Sequence, residues 1–257
     1  KWKWNIFDTF GLMIECEKTA PYRYYIENVD DMKSDGIENW LLSTYSVSNA
    51  LIESKSIKDR IILEDVPSGR EYLEPILESM KINRFIHITY YNYRRDDLRE
   101  HYLMPLCIKL FRQRWYMVGR QWPSGNDTIY SLDRIRGLRL SSHTFENPKD
   151  FNPKEYFDGC FGIIAATDCD TQKVRLKVNS GQANYLRDLP LHESQQETER
   201  TEEYSIFEYH LRPTFDFQQE ILWNGEDVEV LEPLWLRNEI AGKIMRMWNK
   251  YKKEELL

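Results

Sequence analysis

Five arginines crowd residues 110–138, and aromatic side chains lie between them. The residues concerned are Arg112, Arg114, Arg120, Arg134 and Arg136, with Trp115, Tyr116 and Tyr130. Two runs typical of strands, 115–121 and 128–132, are joined by a Pro-Ser-Gly-Asn-Asp loop. Guanidinium groups bind phosphates and carboxylates through a planar fork, and aromatic rings stack on bases. The stretch therefore predicts a surface that binds an anion.

Period-2 alternation divides the side chains of the first run between two faces. Arg114, Tyr116, Val118 and Arg120 share one face, and Trp115, Met117 and Gly119 share the other. One face is therefore apolar, and the opposite face is cationic with an aromatic ring among the charges. This pattern assigns Trp115 to the core.

The candidate ligand-binding residues each have a structural alternative. The candidates are Arg134, Arg120, Arg114, Tyr116, Tyr90, His101 and Arg112. Arg134 is the strongest, and its alternative is a salt bridge that closes a barrel, with Asp133 or another acid. Tyr90 and Tyr116 either stack a base or are core tyrosines with satisfied hydroxyls. His101 is a weaker candidate, and a phosphate contact there would make ligand affinity depend on pH near neutrality.

Composition narrows the class of protein. The 257 residues are 41% hydrophobic and 30% charged, as in a soluble globular chain with ample length for a core. No apolar run approaches the roughly 18–20 residues of a membrane span, and no signal peptide is evident at the N-terminus. Four scattered cysteines without a CxxC pair predict a reducing cytoplasm, with no metal site and no cofactor.

Charge is distributed unevenly along the chain. The formal net charge is -7, yet residues 84–139 carry 11 Lys+Arg against 5 Asp+Glu, a balance of +6. The rest of the chain therefore carries -13. A basic module in an acidic protein indicates an anionic partner for one domain, and the alternative is an excess of solvated arginines on a small barrel.

Periodicity predicts a multidomain α+β protein. Residues 1–28 show a helix followed by a hairpin, and a helical region at 29–83 contains predicted helices at 37–54 and 70–81. The period changes to 2 over 84–145, which predicts a small barrel. Its strands are predicted at 85–93, 98–105, 107–111, 115–121 and 128–132, with a sixth candidate at 137–141. Arg112 and Gln113 are predicted to form a tight turn between the third and fourth strands.

The C-terminal third comes after a linker at 146–170. Residues 171–257 alternate predicted strands at 173–178, 205–211 and 228–231 with predicted helices at 182–188, 216–223 and 233–251. The sequence leaves open whether a further strand lies between residues 191 and 196. The alternation predicts a ferredoxin-like α+β domain.

Several motifs resemble the WYL domain. Trp115-Tyr116-Met117 stands where that family has its Trp-Tyr-Leu triplet, with Pro105 ten residues earlier and Ser131-Leu132-Asp133-Arg134-Ile135 after it. The stretch 145–157 resembles the segment that is usually C-terminal to that domain, 173–251 resembles the C-terminal extension domain of the same proteins, and 1–28 is similar to the end of a winged helix. The resemblance covers nearly the whole chain and is most specific at 105–151.

The resemblance implies a bacterial transcriptional regulator. A winged helix would bind duplex DNA, and an Sm-like or SH3-like barrel would sense a ligand, a nucleic acid in known cases. The family is usually a homodimer joined in part through its C-terminal domain. Two positions depart from the family pattern: His101 replaces an arginine, and Arg120 replaces an aromatic residue. Because the chain starts inside the expected winged helix and lacks a first Met, we expect it to sense a ligand but to bind operator DNA poorly.

The sequence thus predicts a cytoplasmic, ligand-responsive regulator whose barrel binds a nucleic-acid or nucleotide effector. The alternative is an accessory module that binds RNA or single-stranded DNA, or that assists assembly, without operator recognition. An enzyme is not expected, because GxSxG, HExxH, P-loop and GxGxxG motifs are absent and the five histidines lie far apart.

Overall fold

The structure is a computed structural model that describes residues 13–19, 24–26, 44, 47, 51, 60–62, 69–165 and 169–252. The chain divides into two compact units, Lys1–Asp65 and Val66–Leu257. In the first unit, β1 (Ile14–Cys16) and β2 (Tyr24–Ile26) form the antiparallel pair that the sequence predicts. The predicted helix before this pair lies outside the described residues, as does most of the one at 37–54.

The second unit begins with one helix and a five-stranded antiparallel sheet. The elements are α1 (Arg70–Lys81), β3 (Arg84–Asn92), β4 (Asp97–Phe111), β5 (Arg114–Gln121), β6 (Asp127–Ser131) and β7 (Ile135–Thr144). A 3-10 turn, Leu132–Arg134, joins the last two strands. The strand order is β6-β5-β4-β3-β7. Arg112 and Gln113 form the predicted tight turn with φ of 48° and 64°, the positive values that a two-residue hairpin requires.

Strand β4 corrects the prediction of two separate strands at 98–105 and 107–111. It runs without a break, and its pairing with β5 shifts register between Pro105 and Cys107. Proline has no N–H to donate to the sheet, and a bulge lets a strand continue past it. The first half of β4 therefore pairs with β3 and the second half with β5.

Helix α1 covers one face of this sheet. Ile76 is fully buried, and Tyr72 and Leu73 pack beside it against the core. The strand residues in this core include Ile86, Ile88, Leu103, Met117, Tyr130 and Ile135. The sequence predicted this helix as part of the region before the barrel, whereas its apolar face is part of the barrel's own core.

The segment after β7 covers the other side of β5. Val118 and Cys107 are buried there, and Phe151 and Phe157 pack against them on either side of the short helix α2 (Pro153–Tyr156). The middle of β5 is consequently buried on both faces. The predicted cationic face does not form one continuous open surface.

The remainder is a second antiparallel sheet with helices. The elements are β8 (Gln172–Asn179), α3 (Ser180–Asp188), β9 (Gln196–Arg200), β10 (Tyr204–Leu211), α4 (Phe215–Trp223), β11 (Val228–Glu232) and α5 (Leu234–Lys252), with a 3-10 turn at Gly225–Asp227. The strand order is β11-β8-β10-β9. Strand β9 lies C-terminal to the stretch 191–196, where the sequence left a strand open, and it was not predicted. Its five residues are all exposed, so no apolar alternation marks it. The mixed α+β class predicted from the sequence is confirmed.

Within the second unit, polar contacts join the domain of the first sheet (β3–β7) to the domain of the second sheet (β8–β11). They lie at the end of the β4–β5 hairpin. Arg112 pairs with the buried carboxylate of Glu220 on α4. Lys109 donates a hydrogen bond of 2.6 Å to the Gly162 carbonyl oxygen. The carboxylate of Asp216 accepts hydrogen bonds of 2.8 and 2.9 Å from the N–H groups of residues 163 and 164. The connecting segment is therefore fixed to both domains.

The described ranges lack two kinds of feature. None of their helices is long and apolar enough to cross a membrane. No group of three or more His, Cys, Asp or Glu side chains in those ranges is arranged to hold a metal ion.

Candidate ligand-binding site

Arg134 ends the 3-10 turn between β6 and β7, and its guanidinium is held by backbone and aromatic rings. Its Nε and Nη2 atoms donate hydrogen bonds of 3.1 and 2.8 Å to the Tyr91 carbonyl oxygen. The guanidinium carbon lies 4.6 Å from the centre of the Tyr90 ring and 4.2 Å from that of Tyr93. These distances are those of cation–π contacts. The side chain is fixed while its positive charge stays available.

The salt bridge between Arg134 and Asp133, which the sequence left open, does not form. Asp133 instead pairs with Arg114 through one carboxylate oxygen and accepts a hydrogen bond from the Ser131 hydroxyl at the other. In the described residues of both domains, no carboxylate pairs with Arg134. A cation without a partner carboxylate is a ready site for an anionic ligand.

Four of the seven candidates meet at this end of the barrel. Ser131 connects them, since its N–H donates a 3.1 Å hydrogen bond to the Tyr90 hydroxyl and its side chain meets both Asp133 and Tyr116. We call the group Arg134, Arg114, Tyr90 and Tyr116, together with Tyr93, Ser131 and Asp133, the arginine cluster. It brings together residues from three strands and two turns.

The two tyrosines predicted to stack a base are buried. Tyr90 and Tyr116 are only 7% and 8% exposed, and burial raises the pKa of each phenol. Tyr90 also packs edge-on against Tyr130, with ring centres 5.1 Å apart. This burial favours the second of the two roles that the sequence left open, a core tyrosine with a satisfied hydroxyl. Both position their neighbours, and whether they contact a ligand stays a prediction.

Tyr93 is the aromatic residue of the cluster that the sequence analysis missed. It is 60% exposed and packs edge-on against Tyr91, with ring centres 5.6 Å apart. It lies in the β3–β4 turn, one residue after β3, where the adjacent Arg94-Arg95 pair indicates only a solvated turn. The sequence feature that could have identified Tyr93 is its two-residue spacing from Tyr91. Its ring can accept a base on the side that faces solvent.

His101 lies behind the cluster, among barrel aromatics. Its Nδ1 is 3.4 Å from the Tyr130 hydroxyl, and its ring centre is 6.2 Å from that of Tyr90. Burial, aided by the positive charge of Arg99, lowers the pKa of His101 from its ordinary value. The imidazole is therefore neutral at pH 7 and adds no charge to the cluster there.

The lowered pKa of His101 predicts a loss of stability in acid. As pH falls below the ordinary value of about 6.5, the unfolded chain binds a proton that the folded barrel refuses, so the free energy of unfolding decreases. We expect His101→Gln to flatten the fall in Tm between pH 7 and pH 5. Thermal melts of both proteins across this window test it, and identical pH profiles would contradict it.

Arg120 lies at the far end of β5 and is neutralised by two carboxylates. Its Nε and Nη2 atoms donate to the two oxygens of Asp127 at 2.7 and 3.0 Å, and its Nη1 donates to Asp150 at 3.0 Å. These hydrogen bonds raise the pKa of Arg120, and they lower that of Asp150. The structure therefore separates Arg120 from the arginine cluster and gives it a structural role between β6 and the segment after β7.

We expect Arg120→Gln to weaken the fold but not ligand binding. The Arg120 side chain is 19% exposed, and its loss leaves Asp127 without its bidentate partner. For partly buried pairs we expect a cost of about 1–2 kcal/mol, which is about 2–8 °C in Tm for a unit of this size. Thermal melts and oligonucleotide titrations test this, and a tenfold loss of affinity at unchanged Tm would return Arg120 to the binding site.

Arg112 also pairs with an acidic side chain of the protein. Its guanidinium pairs with Glu220 and lies 5.4 and 5.9 Å from the ring centres of Phe111 and Phe161. It faces the second domain, two residues along the chain from Arg114. Of the four arginines among the candidates, three are paired with acids in the described part of the chain and Arg134 is not.

Comparison with known protein families identifies two domains in the chain. The WYL domain family matches residues 71–140, and the WCX domain family matches residues 170–248. The WYL match includes helix α1, which packs into the barrel core. No curated protein matched the chain.

Two solved structures resemble the chain at low identity. The proteasome accessory factor B/C (PafBC) of Arthrobacter aurescens is 18% identical, with a TM-score of 0.37 over 93% of this chain and 38% of that one. A CRISPR Cas-related protein is 17% identical, with a TM-score of 0.44 over 70% of this chain and 51% of that one. The chain thus spans about two fifths and one half of the lengths of these two proteins. The chain therefore contains a WYL domain at residues 71–140 and a WCX domain at residues 170–248.

Proposed function

We propose that this chain is the sensing part of a ligand-responsive transcriptional regulator, and that its WYL domain binds an anionic effector at the arginine cluster. The effector is a single-stranded nucleic acid or a nucleotide. The observation that carries the proposal is Arg134, a fixed guanidinium with two aromatic rings against it and no carboxylate partner in the described residues. The proposal assigns the site to binding and gives no residue a catalytic role.

The charges around Arg134 support an anionic ligand. Asp133 is already neutralised by Arg114, so the acid nearest in sequence to Arg134 does not cancel the charge of Arg134. Arg136 adds a second positive charge, because among the described residues it donates only to the carbonyl oxygens of residues 133 and 135. Two guanidinium groups that use only carbonyl oxygens as acceptors can still attract a phosphate.

Tyr93 supports a ligand with a ring. Its exposed ring lies against the Arg134 guanidinium, so a stacked base would place its phosphate close to the positive charge. Single-strand binding proteins combine these two elements, an aromatic platform and a cation on the backbone. A simple inorganic anion would use the cation alone.

The hairpin between β4 and β5 supplies a route from the site to the WCX domain. Arg114 belongs to the arginine cluster, and Arg112, which lies in the tight turn itself, pairs with Glu220 of α4. A ligand that competes for Asp133 or shifts Arg114 would act directly on this turn. Regulation requires that the ligand bind two arrangements of the domains with different affinity, and this hairpin is the element that we infer to differ between them.

The proposal also includes a DNA-binding domain, a homodimer and a cytoplasmic location. A DNA-binding domain of the winged-helix type would supply operator recognition. A homodimer is supported by exposed apolar residues along the second half of α5, namely Ile244, Met245, Met247, Trp248 and Tyr251. Action in the cytoplasm is supported by Cys107 and Cys160, which are buried thiols without a disulfide.

The strand orders support the finer fold assignments, which we also infer. The first sheet is a meander with its last strand beside its first and a 3-10 turn before that strand, as in Sm-like and SH3-like barrels. The second sheet runs strand, helix, strand, strand, helix, strand, and its first and third strands lie at the centre. That arrangement is the ferredoxin-like one.

The test is fluorescence anisotropy of labelled single-stranded DNA, single-stranded RNA and duplex DNA against this chain, at roughly 50 and 200 mM salt. We expect micromolar or tighter binding of a single strand, weakening at the higher salt because phosphates are neutralised. Weak duplex binding would agree with operator recognition lying elsewhere. Absence of any single-strand binding at low salt would overturn the nucleic-acid effector.

A further inference from the structure

An aromatic pocket lies on the outer face of the first sheet, away from the arginine cluster. It encloses about 500 Å³ and is formed where β3, β4 and the end of β7 meet the loop after β5. Its main aromatic walls are Phe85, Tyr102, Trp122 and Phe145, and His143 and Glu146 stand at its rim. No part of the proposed function uses it.

The rings of the pocket are arranged for a flat ligand. Phe85 and Tyr102 stack with centres 4.8 Å apart and an angle of 21° between their planes. Trp122 and Phe145 stand edge-on to Phe85, with centres 6.1 and 5.3 Å away. Trp122 is 59% exposed, so one face of a large indole is open beside a stacked pair. A planar ring can lie against it without displacing a neighbour.

Backbone and side-chain hydrogen bonds fix these rings. The N–H of Trp122 donates to the Tyr102 carbonyl oxygen at 3.0 Å, and that of Phe145 donates to the Asn83 carbonyl oxygen at 2.8 Å. The Tyr102 hydroxyl is 3.1 Å from the Ser141 hydroxyl, which is buried. The pocket is therefore formed before any ligand arrives, which lowers the entropic cost of binding.

A cation extends the pocket along the sheet. His87 lies opposite Tyr102 on β4 and opposite Arg139 on β7, so the three side chains form a row on one face. The His87 and Tyr102 ring centres are 4.4 Å apart. In the part of the chain that the structure describes, Arg139 has no carboxylate or hydrogen-bond partner, unlike Arg112, Arg114 and Arg120. Its charge can reach a phosphate attached to a ring in the pocket.

We propose that this outer face is a second binding site, for a nucleobase that stacks in the pocket while its phosphate meets Arg139. The carboxylate of Glu146 at the rim favours a base that presents an amino group there. The same chemistry can come from a free nucleotide or from one unit of a single strand. The inference rests on the proposed class of effector, but it uses none of the residues of the arginine cluster.

The two sites use opposite ends of β3, with the pocket at Phe85 and the arginine cluster at Tyr90 and Tyr93. Phe85 and His87 project to the outer face, whereas Ile86, Ile88 and Tyr90 project into the barrel core beneath α1. A single strand of several nucleotides can therefore contact both, but one base cannot. Variants of the outer face should leave the arginine cluster intact.

The experiment measures binding of a labelled single-stranded oligomer and of adenosine monophosphate to Trp122→Ala and to Arg139→Glu. Loss of one stacked base predicts roughly 5- to 100-fold weaker binding for Trp122→Ala. Arg139→Glu should weaken binding and lessen its salt dependence. The matched controls are Trp223→Ala, an indole that is 84% exposed on the other domain, and Arg95→Glu in the exposed β3–β4 turn, and both should bind as the parent chain does.

The outcomes separate this site from the arginine cluster. Weakening by Trp122→Ala and Arg139→Glu but not by Arg134→Ala supports the outer site and overturns the cluster as the effector site. The reverse pattern overturns the outer site and leaves the proposed function standing. An effect on adenosine monophosphate as well as on the oligomer identifies a free nucleotide as sufficient, and an effect on the oligomer alone identifies a single strand. Binding of neither probe to the parent chain overturns both sites.

Discussion

Arg134→Ala is expected to lower the affinity of the WYL domain for a single-stranded effector by about 10- to 100-fold, because hydrogen bonds to charged groups contribute about 1.5–3 kcal/mol. The fold should remain, since Arg134 binds one carbonyl oxygen at the surface and fills no cavity. Anisotropy titrations measure the affinity, and thermal melts check the fold. Arg95→Ala is the control, because that arginine lies in the exposed turn nearby and loses the same charge.

Arg134→Lys separates charge from shape. Lysine keeps the positive charge but has a single ammonium group, which can neither hold the Tyr91 carbonyl oxygen through two nitrogens nor lie flat between two rings. We expect most of the loss seen with alanine to persist with lysine. Full affinity in Arg134→Lys would indicate that only net charge matters. Unchanged affinity in Arg134→Ala would remove this residue from the site.

Gly69→Ala is expected to produce the largest loss of stability. Gly69 precedes α1 with φ of 64°, a left-handed conformation that disfavours any Cβ. An added Cβ would lie 2.5 Å from the Asp133 backbone nitrogen and 2.6 Å from the Leu132 Cβ, both in the 3-10 turn that carries Arg134. Because backbone must move, we expect a cost of at least about 3 kcal/mol, or roughly 6–12 °C in Tm.

Gly125→Ala is the matched control for this effect. Gly125 has a similar φ of 76°, but nothing lies within 4 Å of the position of its Cβ. Only the backbone strain of about 1–2 kcal/mol should remain, so its Tm should fall by roughly 2–8 °C. Equal losses in the two variants would show that the close approach of Gly69 to the turn is unimportant. Any folded Gly69→Ala protein should also bind the effector less well, since the turn that holds Arg134 must shift.

Local periodicity predicted much of the fold. The helix at 70–81 has its apolar residues on one face, and the structure has α1 at Arg70–Lys81. The turn at Arg112 and Gln113 was predicted from the strands on either side, and both residues have positive φ. These features depend on a few neighbouring residues. Strand β9 was not predicted because its side chains are all exposed, and the bulge after Pro105 was mistaken for a strand end.

The candidate site was harder to predict because its decisive contacts are distant in sequence. The alternation along β5 correctly separates Arg114 from Trp115, but it cannot show that Asp150 neutralises Arg120 or that Glu220 binds Arg112, which is 108 residues away. It also cannot show that Phe151 and Phe157 cover Val118. Residue type indicated where cations would gather. Only tertiary structure shows which of the four candidate arginines has no carboxylate partner among the described residues.

The central claim is that an anionic ligand with a base binds beside Arg134 and Tyr93. Ultraviolet crosslinking of a single strand that contains 5-bromouracil, with mass spectrometry of the resulting peptides, tests it most directly. We predict a crosslink to Tyr93, because its exposed ring lies 4.2 Å from the Arg134 guanidinium, and we predict its loss in Arg134→Ala. Crosslinks confined to the WCX domain or to Trp122, with none at Tyr93, would contradict the claim.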